Sequence, residues 1–114
     1  RLLAAGEPFA VADLVLSGFI RIVTNGRIFD PPSTTDDAFR FVNAIRSHPR
    51  CVVVSPGPDH WEIFERLCRQ AGAKGPLTVD AYLAALAIDS GCEWITADRD
   101  FARFPGLRWR HPLA

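Results

Sequence analysis

Hydrophobic positions alternate along the chain between short continuous runs and helically spaced faces. Phe9-Ala10-Val11-Ala12 is a brief apolar stretch suited to a buried strand. Asp13 then reads as the cap of a helix running to about Thr24, with Leu16, Phe19, Ile20 and Val23 at helical spacing. Asn25-Gly26 stops it. Pro31-Pro32-Ser33 predicts a loop, and Ser33 or Thr34 can cap a second helix whose apolar face carries Ala38, Phe41, Val42 and Ile45. Pro49 ends that helix. Cys51-Val52-Val53-Val54 is an unbroken run rich in β-branched residues, which predicts a strand buried on both faces. Ser55-Pro56-Gly57-Pro58 turns the chain into a helix from Asp59 to Ala71, stopped by Gly72. After a Lys74-Gly75-Pro76 loop come a helix from Val79 to Ile88, a strand from Glu93 to Thr96, a turn around Asp98 to Phe101, and an extended piece from Leu107 to Arg110.

Strands alternating with helices predict an α/β fold with a parallel sheet and helices on both sides. No repeat, low-complexity tract or linker divides the sequence, so a single domain over 1–114 is expected. In open sheets of this kind, sites form beyond the carboxyl ends of the strands. The helix after Val79 is almost wholly apolar and must be buried on most faces, yet it carries Asp80 in what reads as its first turn. Asp98 and Asp100 stand just past the end of the following strand. Acids gathered beside a core are costly unless their charge is compensated, and a divalent cation is the usual compensator. An acidic metal site is therefore the leading expectation. Each acid also has an ordinary reading. Asp80 can complement a helix N-terminus, Asp98 and Asp100 can start a helical turn, and Asp13 serves as an N-cap before it serves as a ligand.

Other chemistry is thin. Thirteen basic residues balance thirteen acidic ones, so any nucleic-acid partner must be held by a local patch or by metal. Arg21, on the first helix, reads as a surface ion pair or a phosphate contact. Arg99, Arg103, Arg108 and Arg110 place basic charge close to the acids, which suits an anionic polymer. His48, His60 and His111 lack ligand spacing and are expected on the surface, while Trp94 and Trp109 are expected in the core. Ser17 and Ser55 have no histidine partner in view, and Lys74 is the only lysine, which weighs against a phosphotransfer fold that needs an anchoring lysine. Three scattered cysteines have neither zinc nor disulfide spacing and read as small core residues in a reducing cytoplasm. No apolar run reaches membrane-spanning length.

The last third resembles the C-terminal half of PIN domains, on Thr78-Val79-Asp80-Ala81-Tyr82-Leu83-Ala84-Ala85-Leu86-Ala87 followed by Cys92-Glu93-Trp94-Ile95-Thr96-Ala97-Asp98-Arg99-Asp100-Phe101 and Phe104-Pro105-Gly106-Leu107. Val15 to Asn25 and the closing Trp109-Arg110-His111-Pro112-Leu113 are similar to VapC toxins of toxin–antitoxin pairs, in the branch abundant in mycobacteria. The resemblance implies a three-layer α/β/α sandwich on a mainly parallel central sheet. It implies a ribonuclease that uses Mg²⁺ or Mn²⁺, held by carboxylates, to cut single-stranded RNA. It also implies a VapB-type antitoxin as partner, and homodimerisation. Asp80 and Asp98 carry over as metal ligands and Asp100 belongs to the same motif, with Arg21 and Arg99 placed to contact RNA phosphate.

Two departures accompany the likeness. The family's first aspartate lies in an N-terminal strand that has no counterpart here, and the chain opens on Arg1-Leu2-Leu3-Ala4-Ala5-Gly6, which reads as a helix end with a glycine cap. An N-terminally incomplete domain, inactive by itself, is therefore expected. The family's helix glutamate, three residues before the arginine matching Arg21, appears as Gly18, with Asp13 as a possible extra acid. A degenerate module that only binds a protein partner is the alternative reading.

Overall fold

The computed structural model describes residues 8–95 and 99–110, and resolves into two units, one within Ala5–Val54 and one within Ser55–Ala114. The first holds β1 (Phe9–Ala12), α1 (Asp13–Val23), α2 (Thr35–Arg46) and β2 (Cys51–Val54). β1 and β2 pair in parallel, with Phe9 opposite Cys51 and Ala12 opposite Val54. A parallel pair needs a crossover, and the two helices supply it. β1 runs into α1 without a connector: Ala12 keeps extended angles (φ −113°, ψ 135°) as the N-cap, and Asp13 is already helical. Asp13 is therefore not the cap expected from the sequence, because the strand ends one residue before it.

Past α1, Thr24 closes the helix through its hydroxyl to Ile20 O at 2.7 Å. Asn25 then organises the turn, its carbonyl accepting from the Ile28 and Phe29 amides and its side chain from the Arg27 amide. α2 starts as the sequence predicts: Thr34 Oγ1 accepts from the Asp37 amide at 3.1 Å. Asp36 and Asp37 stay in solvent and pair with Arg40. Replacing Thr34 by Ala should cost about 0.5–2 kcal/mol by removing that cap, read from denaturant midpoints, with Thr34→Ser recovering most of it.

Leu16, Ala38 and Val42 form the buried apolar residues of the two helices, and Phe19 meets Phe41 at 5.4 Å between ring centroids. β2 departs from expectation. Val52 and Val53 are 52% and 39% exposed, so this strand is not covered on both faces. A β-branched run suits a pleated, half-buried surface as well as a fully buried one.

The second unit holds α3 (His60–Ala71), α4 (Pro76–Ser90), β3 (Trp94–Ile95), a 3-10 helix (Arg99–Arg103) and β4 (Trp109–Arg110). α3 ends at Gly72 in the left-handed region (φ 59°), the stop expected there. α4 starts earlier than expected. Pro76 is its first residue rather than part of the loop, since proline lacks only an amide that the first turn leaves unbonded. Gly75, at φ 55° and ψ −132°, makes the entry that only glycine tolerates. Ala81 and Leu83 to Ala87 are all buried, which confirms a helix enclosed round its circumference. α3 packs along α4, and α4 also meets the 3-10 helix, where Phe101 and Phe104 are buried.

β3 and β4 pair in parallel, Trp94 opposite Trp109. Parallel pairing is thus as expected, with the described strands forming two pairs, one in each unit. Trp94 and Trp109 are half-buried rather than core residues, their strands being only two residues long. Cys51, Cys68 and Cys92 are free and half-buried, and burial pushes the Cys68 thiol up. Among the described residues no helix is long and apolar enough to cross a membrane.

Candidate metal-binding carboxylates

Asp80 is the fifth residue of α4, not a first-turn residue. The favourable field of a helix N-terminus fades within the first turn, so complementing the dipole does not account for this carboxylate. Its position on the helix does suit a ligand. Val79 beside it is exposed, Asp80 is half-buried, and the run from Leu83 to Ala87 is enclosed. The carboxylate therefore stands where the helix passes from solvent into the core.

Asp100 is in the 3-10 helix that packs against α4, so the two acids belong to neighbouring elements of one unit. Asp100 is exposed and has Arg103 at 3.8 Å. Asp98 lies outside the described residues. Among the described residues no three His, Cys, Asp or Glu side chains come together as a metal-binding group. The donor chemistry of Asp80 and Asp100 fits Mg²⁺ or Mn²⁺, which take hard carboxylate oxygens and keep bound water.

Asp13 belongs to the other unit and has a structural partner: Arg46 Nε donates to its Oδ1 at 3.0 Å, joining α2 to the start of α1. This exposed pair is worth at most about 1 kcal/mol and is screened by salt. Asp13→Ala should therefore change stability by no more than that, with a difference that shrinks in high salt. Gly18 is half-buried in α1, and a Cβ there would meet nothing within 4 Å. Packing does not require glycine at the position where the resemblance places an acid.

Arg21 is exposed in the last turn of α1 and makes no ion pair with a described residue, contrary to the surface pairing expected of it. Arg99 is exposed at the start of the 3-10 helix. The other nearby bases are engaged: Arg108 donates to Gly91 O at 2.8 Å, and Arg110 lies 3.3 Å from Glu93. His48 accepts from the Arg50 amide at 3.0 Å and packs on Phe9, a structural role. His111 lies outside the described residues.

His60 corrects the sequence reading most sharply. Expected on the surface, it is 2% exposed, with Nε2 3.0 Å from Tyr82 O of α4. The sequence did hold a signal, since His60 shares helical spacing with Ile63, Phe64 and Leu67 and so lies on the apolar face of α3. Asp89 was also missed. Its Oδ2 accepts from the Gly57 amide at 2.8 Å, tying the turn before α3 to the far end of α4.

Comparison with known proteins places this arrangement in a family. The PIN domain profile matches residues 1–107. A VapC ribonuclease of Mycobacterium bovis, Mb2897, is 45% identical over 113 residues, which span 99% of this chain and 77% of that protein. Ribonuclease VapC25 of Mycobacterium tuberculosis is 46% identical over 112 residues, 98% of this chain and 79% of its own length. Among solved structures, VapBC-1 from nontypeable Haemophilus influenzae superposes with a TM-score of 0.72 over 98% of this chain and 80% of that one. At 14% identity, that likeness speaks for the fold alone, and it bears out the PIN-like α/β/α class. The extent of the profile match and the identity to VapC proteins along nearly the whole sequence establish that this chain belongs to the PIN-domain family, in its VapC branch.

Proposed function

We propose that this chain is the toxin of a toxin–antitoxin pair, an endoribonuclease that cuts single-stranded RNA with Mg²⁺ or Mn²⁺ held by carboxylates. The observation that carries the proposal is 45% identity to relatives named as ribonucleases, in a chain that keeps Asp80 at the boundary of a buried helix. Asp80 and Asp98 would hold the metal, and Asp100 would ligate it or orient water. When bound, the ion lowers the pKa of its water and stabilises charge on the phosphate. Arg21 and Arg99, both exposed, would contact RNA phosphates. A small antitoxin of the VapB type is the proposed partner, supported by the fold likeness to a VapBC assembly. Homodimerisation and action in the cytoplasm belong to the same proposal.

The test is cleavage of an end-labelled single-stranded RNA by the full-length protein. Cutting should require Mg²⁺ or Mn²⁺, stop with EDTA and stop again on adding antitoxin. RNA left intact at every metal concentration would overturn the proposal. A second reading is favoured by Gly18 in place of an acid: a non-catalytic module that only binds its protein partner. Calorimetric titration with Mg²⁺ separates the two, because the module binds antitoxin but takes up no metal.

A further inference from the structure

We infer that His60 is a positioning residue for Asp80, holding the α4 turn that carries the carboxylate in a fixed register on α3. This deepens the nuclease reading and rests on it. A carbonyl oxygen can only accept, so the 3.0 Å contact with Tyr82 O requires the proton on Nε2. The ring lies edge-on to Tyr82 at 4.4 Å and parallel to Phe64 at 6.2 Å, within the α3–α4 packing.

α4 needs such a pin because of its own composition. Helices lock against one another by ridges seated in grooves. The buried surface of α4 includes Ala81, Ala84, Ala85 and Ala87, whose methyl groups make shallow ridges. Apolar burial is non-directional and so does little to stop such a helix from sliding or turning. Polar contacts with strict geometry do stop it. His60 with Tyr82 and Asp89 with Gly57 are contacts of this kind among the described residues. Residues 82 and 89 are seven apart, about 10 Å along the axis and on the same face. Both therefore meet the α3 side, and a shift of one turn, about 5.4 Å, would break both. Asp80 is two residues before Tyr82, about 200° round the helix, so α4 is pinned on the side away from the carboxylate.

The test compares His60→Leu and His60→Gln in the full-length protein. Leucine fills space without a donor, whereas glutamine keeps a neutral N–H at similar reach. Amide hydrogen exchange in the first half of α4 should quicken about 10-fold or more in H60L and stay near wild type in H60Q. In H60L, Mg²⁺ affinity should weaken and kcat fall about 10- to 100-fold while KM for RNA holds, with H60Q restoring both. Should H60L fail to fold, Asp89→Ala removes the other pin and carries the same expectation. Wild-type exchange in H60L overturns the inference, as does faster exchange with metal affinity and kcat unchanged. Wild-type protein that neither binds Mg²⁺ nor cuts RNA overturns the nuclease reading and the inference together, a result distinct from the other two.

Discussion

Asp80→Asn should abolish metal-dependent RNA cleavage, by at least about 100-fold, while leaving the protein folded. Loss of a group that merely supports a metal ligand costs about 10–100-fold in affinity or activity, so loss of a ligand should cost more. Stability should change by no more than about 1 kcal/mol. Asparagine matches aspartate in shape, the side chain is only half-buried, and a second-turn position gains nothing from the helix N-terminus. The decisive comparison pairs cleavage rate with thermal midpoint in the same preparation. Full activity in a folded D80N protein would remove Asp80 from the metal site. Lost activity with an unchanged midpoint and weakened Mg²⁺ binding is the expected pattern.

The largest loss of stability should come from Leu67→Ala, about 2–5 kcal/mol. Leu67 is 0% exposed on the face of α3 that also carries His60, and α3 packs on α4. The cost has two parts: apolar transfer of the removed carbons and the hole they leave. Against a typical margin of 5–15 kcal/mol, such a loss should shift the denaturant midpoint strongly. A loss below about 1 kcal/mol would mean that α3 is not seated as described.

Much of the fold was legible because local signals coincide with tertiary need. Gly72, Thr34 and the Asn25 turn act through the backbone within a few residues, so the sequence displays them directly. The start of α4 was misplaced because Pro76 serves equally as loop breaker and first helical residue, and only the following turn decides. An assumed start at Val79 puts Asp80 in the first turn, where it would complement the helix N-terminus, and the structure removes that role. His60 was misjudged on residue type, although its spacing with Leu67 marked it as inward-facing. Asp13 and Asp89 depend on partners more than thirty residues away, Arg46 and Gly57, and no local pattern announces such pairs. Of the candidate site, Asp80 as an acid on an otherwise enclosed helix could be read from composition alone. Asp100 could be read from its place past the end of the following strand, while the packing of its 3-10 helix on α4 came only from the structure.

The direct passage from β1 into α1 has a mechanical consequence. With Ala12 still extended and Asp13 already helical, strand and helix meet with no residue between them. A residue inserted at that joint would shift α1 by about 1.5 Å and turn it through about 100°. Leu16 would swing out of its buried place, and Asp13 would be carried away from Arg46. The joint thus acts as a keyed coupling. It should tolerate substitution far better than any change in length.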